Sequence, residues 1–314
     1  LGKMLSTRDA YGETLVKLGE EHPEIVALDS DLSGSTRSAL FGKRFPDRFF
    51  NMGVSEQDMV STAAGLAAAG KAPFASTFAV FISGRAWEQI RICICLSGLN
   101  VTLVGSHGGI TVGEDGATHQ ANEDIAVMRV LPNMTIVVPS DAVETEKALR
   151  AIYEYNGPVY LRLARNKYPV LHDESYKFEL GKADIIREGN DLAIVTAGYM
   201  VSKSLEAAQM LSGQGVEACV VNMSTIKPID EECVVRVARE TGAVLTVEEH
   251  SVIGGLGSAV AETLGENCPV PMKRMGMRDT FGLSGNIEEL LKHFQFSEDH
   301  IVEEALQLIE RKAR

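Results

Sequence analysis

An α/β architecture of two doubly wound parallel-sheet domains is the fold class this sequence predicts, and three observations predict it. Short runs of Val, Ile, Leu and Ala alternate with segments of helical period, the pattern of parallel strands covered by helices on both faces. Several of those runs break off into polar, glycine-containing loops, which in parallel sheets gather at one edge. The chain has 314 residues, 45% of them hydrophobic, enough for two domains that each bury a core.

Taken in order, Ser6 with Asp9 three residues on caps an opening helix whose inner face carries Tyr11, Leu15 and Leu18. Ile25-Val26-Ala27-Leu28 is the first strand, and the polar loop from Asp29 to Thr36 leaves its end; the aspartates there read equally well as turn formers and as site residues. Phe49-Phe50-Asn51-Met52 is a second short strand. Ser55 and Asp58 then form a capping box for a helix running from Met59 to Ala69 and stopped by Gly70. Its lining of alanines and Gly65 implies that something packs very close to it. Glu56, at its start, is by default a carboxylate favoured by the helix dipole. The stretch 65–72, GLAAAGKA, matches a phosphate loop only superficially, because Ala72 stands where Ser or Thr is needed and the glycines lie within a helix.

Pro73 to Thr77 forms the next strand and leads into Phe78 and Phe81. A helix from Ser83 follows and buries Trp87, Ile90 and Ile94. The two phenylalanines follow a strand end, yet by themselves they read as ordinary core aromatics. Val101 to Val104 is a buried strand, and at its end begins the most informative stretch of the chain. Ser106 to Gln120, SHGGITVGEDGATHQ, packs two histidines, two adjacent carboxylates and four glycines into fifteen residues with no apolar period. A long loop of this kind in a compact domain is usually functional, and its imidazoles and closely approachable backbone suit a polar substrate.

Thr135 to Val138 is a strand, followed by a helix capped by Asp141 with Glu144. Gly157-Pro158 turns into a strand from Val159 to Leu163, which ends in the polar edge Ala164-Arg165-Asn166-Lys167. These segments make one domain, 1–167. Periodicity lapses over 168–190, the expected linker, and a smaller domain, 191–314, carries strands at Leu192–Thr196, Val216–Val221, Val244–Val247 and Val270–Arg274. Gly254-Gly255-Leu256-Gly257-Ser258 lacks the third glycine and the preceding strand of a dinucleotide loop, so it reads as a tight turn opening a helix at Ser258. Helices from Asn286 and from Ser297 to Arg314 close the chain as amphipathic covers.

A formal charge of −13 argues against nucleic acid or an acidic membrane surface as partner. No run of eighteen apolar residues occurs, and Leu1-Gly2-Lys3 opens no signal-peptide pattern. The five cysteines read as reduced residues of a cytoplasmic protein.

Gly53-Val54-Ser55-Glu56-Gln57, Ser76-Thr77-Phe78, Ser106-His107, the segment Val112 to Gln120, Pro139-Ser140-Asp141 and Ala164-Arg165 occur in that order. Together they resemble the C-terminal half of transketolase over nearly the whole chain, with GEDGATHQ the most specific part. The resemblance implies a pyrimidine-binding domain followed by a transketolase C-terminal domain, and thiamine diphosphate as cofactor. It makes Glu56 the acid opposite N1′ of the aminopyrimidine and sets Phe81 and Phe78 against that ring, with Asp31 near the cofactor. His119 corresponds to a histidine at the reacting centre and Asp115 to a carboxylate that reads a sugar hydroxyl. Ser35, His107 and Arg165 correspond to groups that hold a sugar phosphate. Gly84 departs from the pattern, since the family often has a third aromatic there.

The family's Mg²⁺-holding Gly-Asp-Gly segment is not matched by Gly113-Glu114-Asp115-Gly116, so no metal ligand is assigned and Mg²⁺ is expected on a partner. The implied protein is the C-terminal subunit of a split transketolase of the pentose phosphate type. It would be active only with an N-terminal, pyrophosphate-binding subunit, in a heterotetramer that has a self-associating dimer at its core. The β subunit of a 2-oxo-acid dehydrogenase and a deoxyxylulose-phosphate synthase-like enzyme are the catalytic alternatives. A cofactor-less scaffold is the non-catalytic one.

Overall fold

The computed structural model describes residues 3–312, so the expected chain start at Leu1-Gly2 and helix end at Arg314 lie outside the described residues. Fourteen strands are, in chain order, β1 (Met4–Ser6), β2 (Ile25–Asp29), β3 (Phe49–Asn51), β4 (Ala72–Phe78), β5 (Thr102–Ser106), β6 (Thr135–Val137), β7 (Val159–Arg162), β8 (Lys167–Pro169), β9 (Asp184–Arg187), β10 (Leu192–Thr196), β11 (Ala218–Asn222), β12 (Thr225–Lys227), β13 (Val244–Ser251) and β14 (Met272–Met277). They form two large sheets, ordered β12-β6-β7-β5-β4-β2-β3 and β14-β13-β10-β11-β9. Within the first sheet β2 to β7 pair in parallel, and within the second β10, β11, β13 and β14 do. The two-domain α/β fold is therefore present, with an antiparallel strand at one edge of each sheet, β12 and β9.

Those edge strands revise the expected organisation. The 168–190 stretch, read as a linker, carries most of β8, which pairs antiparallel with β1, and all of β9, an edge of the second sheet. β12 comes from the C-terminal part of the chain yet pairs with β6 of the first sheet. One hydrophobic cluster accordingly runs from Val26, Leu28 and Ala75 of the first sheet to Ala193, Val195 and Val221 of the second. Neither short strand has an alternating pattern long enough to read in sequence; each exists because a neighbour's edge is there to pair with.

The helices follow local rules with a few shifts. Ser6 caps Thr7–Glu21 as expected, accepting from the Asp9 amide, and Tyr11, Leu15 and Leu18 are buried. Asp141 accepts from the Glu144 amide at the start of Ala142–Glu154. The Ser55/Asp58 capping box does not form; the helix begins at Glu56, runs to Ala68 and has no side-chain cap. Of its small residues, Ala63 and Ala64 pack on the chain's own core while Gly65 and Ala69, just past its end, are exposed. The expected Ser83 start moves back to Ala79, so the helical segment springs directly from β4 and continues, through a break at Ala86, into a π-helical stretch at Ile90–Cys95. Trp87 is only partly buried there. The helix placed at Ser258 begins at Leu256, with Gly255 as its cap residue. All five cysteines are free thiols. No helix among the described residues is long and apolar enough to cross a membrane.

Candidate active site

Parallel pairing puts the C-terminal ends of β2, β4, β5 and β7 at one edge, with Asp29 beside Ser76, Phe78 beside Ser106, and Gly105 beside Arg162. Every candidate site residue except Glu56 leaves the sheet there or just beyond. After β2, the fully buried Asp29 accepts hydrogen bonds from the Leu32 amide (2.6 Å), the Thr36 hydroxyl (2.7 Å) and the Ser38 hydroxyl (2.8 Å). This gathers residues 33–36 into the short turn that carries Ser35, so Asp29 is a turn former. Asp31 is exposed at φ 62° and accepts from the Asn51 side chain at 3.0 Å.

A cluster of cationic side chains assembles around His107. Arg8, in the first turn of the opening helix, donates from Nη1 to the Ser35 carbonyl (3.0 Å) and to His107 Nε2 (3.3 Å). A guanidinium only donates, so Nε2 is the acceptor and Nδ1–H donates to the Ser106 hydroxyl at 2.8 Å. Burial, together with Arg8 and Arg165 nearby, pushes the His107 imidazolium down to about 3, leaving a neutral ring at pH 7. Arg165 donates to the Val112 carbonyl (2.7 Å) and pairs with Asp115 (3.3 Å). Arg37 lies within electrostatic reach of both Arg8 and His107 and pairs with Asp9 at 2.6 Å. The Nε of Arg8 is buried without a partner. Arg8 feels the charges of Arg37 and Arg165, each of which already pairs with a carboxylate, and an anionic group would offset the positive charge that remains.

Ser35, His107, Asp115 and Arg165 are thus brought together, and two residues that sequence reasoning misses, Arg8 and Arg37, join them. Arg8 follows the cap residue by two positions, where an arginine reads as ordinary helix surface. Only the packing of that helix against the sheet edge reveals it.

Beside this cluster lies an aromatic face. Phe78 is nearly buried and stacks on His107, with ring centroids 3.8 Å apart. Phe81 is partly exposed, lies 5.8 Å from Phe78, and receives the edge of His119 at 5.3 Å. The other flank of Phe81 is covered by the Arg85 guanidinium, 4.0 Å from the ring centroid. Arg85 also donates to Glu56, whose carboxylate is 4% exposed, at 2.9 Å. Nothing lies within 4 Å of a Cβ built on Gly84, so no third aromatic closes the pocket and Arg85 takes that flank. A flat heterocycle needs a ring to lie on and a carboxylate at its edge, and Phe81 and Glu56 supply both, bridged by the half-exposed Arg85. The aminopyrimidine of thiamine diphosphate fits those requirements. Thr118 engages Nδ1 of His119 at 2.9 Å, which leaves Nε2 for a ligand. No group of three or more His, Cys, Asp or Glu side chains placed to hold a metal ion occurs among the described residues.

Comparison with known proteins covers the same ground. The family model for the transketolase pyrimidine-binding domain matches residues 3–170, and that for the transketolase C-terminal domain matches 181–301. A 6-deoxy-6-sulfo-D-fructose transketolase subunit from a Clostridium species is 45% identical over 97% of this chain and 95% of its own. An apulose-4-phosphate transketolase subunit from Phocaeicola vulgatus is 40% identical over 98% of this chain and 99% of its own. A solved structure described as a split gene transketolase, an inactive beta4 tetramer, is 49% identical, with a TM-score of 0.92 over 98% of this chain and 99% of that one.

Proposed function

The chain belongs to the transketolase family, among its split C-terminal-type subunits, and on that premise we propose that it transfers a two-carbon ketol group between sugar phosphates with thiamine diphosphate. The observation that carries the reading is the juxtaposition of two sites at one sheet edge. His107 stacks on Phe78 at 3.8 Å while its Nε2 accepts from Arg8, so an aromatic cofactor face and an anion cluster adjoin.

The cofactor, when bound, supplies the nucleophilic thiazolium carbon and the electron sink that ketol transfer needs. Glu56 holds the proton shared with N1′ of the aminopyrimidine; its burial and its place in the first helical turn suit a positioned acid. Phe81, backed by Phe78, supports that ring, and Asp31 is assigned to the cofactor's surroundings on the family resemblance alone. His119 Nε2 donates to the substrate oxygen on which charge develops, and Asp115 reads a neighbouring hydroxyl. Ser35 and Arg165, with Arg8 added, hold the terminal phosphate, and His107, whose Nε2 accepts from Arg8, keeps that guanidinium in place for it; two guanidinium forks match the phosphate oxygens better than point charges would. The relatives named for 6-deoxy-6-sulfo-D-fructose and apulose-4-phosphate widen the range of anionic sugars beyond pentose phosphates. A sugar-anion cluster has no counterpart in the chemistry of a lipoyl-linked decarboxylase, which disfavours that alternative.

The pyrophosphate and its Mg²⁺ are assigned to a separate N-terminal subunit, in an assembly with two copies of each chain in the cytoplasm. The separate subunit rests on relatives of matching extent that are themselves named as subunits; the stoichiometry and compartment are carried by the family resemblance. The test is to assay ketol transfer with this chain alone, with cofactor and Mg²⁺, and then with the N-terminal chain added. Activity only in the mixture is expected; robust turnover by the single chain would sink the split-enzyme reading.

A further inference from the structure

The loop that carries His107, Asp115 and His119 is held largely by the C-terminal half of the molecule. Its Ile110 side chain lies in the hydrophobic cluster of the second sheet, among Leu192, Ile194 and Leu245. The Thr111 amide donates at 2.6 Å to the carboxylate of Glu249, on β13, across 138 residues of sequence. Gln120, at the loop's far end, donates to the Leu283 carbonyl at 2.9 Å and back to the Ile110 carbonyl at 3.1 Å. Two glycines make this approach possible. A Cβ on Gly109 (φ 80°) would fall inside the Glu249 carboxyl group, and one on Gly116 (φ 72°) would collide with the Ser284 side chain.

We propose that Glu249 is a positioning residue of the transfer reaction, through which the C-terminal domain sets the geometry of the substrate loop. This rests on the reading of the site given above. Glu249 is 5% exposed, and a carboxylate so buried is retained at a cost unless it performs a directed task. Arg162 faces it, but its hydrogen bonds go to the Asp124 carboxylate and to the main-chain oxygens of Ala121 and Glu249. The directional partner of the carboxylate is therefore the loop. Burial raises the Glu249 carboxyl to about 7, opposed by Arg162 and by the Thr111 hydrogen bonds, so the loop contact helps keep it charged. The loop also needs a pin. His107 sits at φ 59°, a left-handed backbone uncommon for any residue but glycine. The Gly108 amide is fixed to the Leu163 carbonyl and the Gly109 amide to Ala121, and Glu249 fixes the next turn, so His107 and His119 are set relative to each other from both ends.

The test compares the full chain, wild type and variant, by hydrogen exchange, and then the reconstituted enzyme by kinetics. In Glu249→Ala the Thr111 amide and its loop neighbours should exchange about tenfold faster or more, as expected for loss of a charge-assisted bond, while β10 and the helix Ala142–Glu154 keep their protection. Cofactor affinity measured by calorimetry should stay as in wild type while KM for the sugar phosphate rises by a similar factor. Glu249→Gln, whose amide oxygen still accepts from Thr111, should recover most of both. Unchanged loop protection in Glu249→Ala, or loosening spread over the whole second sheet with Glu249→Gln no better, would overturn the proposal. If Glu249→Ala does not fold, Gly109→Ala serves instead: it must show the same loop-confined loss, and unchanged protection there overturns the proposal too. Hydrogen exchange needs no turnover, so a wild-type complex without ketol transfer would count against the proposed function and leave the loop result to be judged separately.

Discussion

At the scale of single residues, one group at the aromatic face and two in the cationic cluster should separate cleanly by kinetics. Glu56→Gln keeps the size of the side chain and an acceptor for Arg85 but cannot exchange a proton. Turnover in the assembled, cofactor-saturated enzyme should fall by about 10²-fold or more, and near-normal turnover would remove Glu56 from the acid's role. Arg165→Ala and Arg8→Ala should each raise KM for phosphorylated sugars by about tenfold or more, through loss of a charge-assisted contact. Unphosphorylated analogues should be affected far less. Equal losses for both kinds of substrate would end the phosphate assignment. Arg8 is the more informative of the two, because it contacts both Ser35 and His107.

At the scale of elements, the start of the helix Ala142–Glu154 shows how a cap becomes a latch between the two halves. Asp141 accepts not only from Glu144 but also from the Leu171 amide (2.6 Å), the His172 amide (2.8 Å) and the His172 ring (3.1 Å). Next to it the buried Glu144 accepts from Tyr176, from Ser140, and from Asn222 and Ser224 of the C-terminal half. Asp141→Ala removes the cap and strands His172, and should lower the unfolding free energy by about 3 kcal/mol in chemical denaturation. A cost below about 1 kcal/mol, that of an ordinary cap, would show that the latch is not used. Burial alone would lower the His172 pKa, but the hydrogen bond to Asp141 and the Asp184 carboxylate 3.4 Å from Nε2 raise it to about 10. Its folded value therefore exceeds the unfolded value of about 6.5. The stabilisation is fully present below that lower value and is lost as pH rises toward about 10. Wild type should lose stability across that window, and His172→Gln should lose less.

At the scale of the whole molecule, the two sheets are not independent bodies. β12 leaves the C-terminal half to pair with β6, and the hydrophobic cluster crosses from one sheet to the other. Thermal unfolding monitored by calorimetry should therefore show one cooperative transition for the chain. Two resolved transitions would mean that the shared core contributes little. A fragment ending near residue 180 should be poorly soluble, because the edge of β6 and the apolar residues facing β10 and β11 would lie bare.

Much of this was legible in the sequence alone. Ile25–Leu28, Val101–Val104 and Leu192–Thr196 read as strands because an apolar run buried on both faces admits few other readings, and Ser6 and Asp141 announce their helices because a cap is a local interaction. The glycine-rich, histidine-bearing stretch from Ser106 to Gln120 stands out as a candidate site because no local rule accounts for it otherwise. What only the tertiary structure decided is whatever depends on residues far apart in sequence. Ser55 makes no cap although its local pattern predicts one. Arg8 joins the cluster around His107 from the first turn of a helix, and Arg85 bridges Glu56 and Phe81 where the family often has a third aromatic. The short β9 and β12 exist because an open sheet edge lies beside them, and Glu249 reaches Thr111 because two domains pack together. Caps and apolar runs are set within a few residues; edges, ion pairs and loop anchors are set by which surfaces the folded chain brings together.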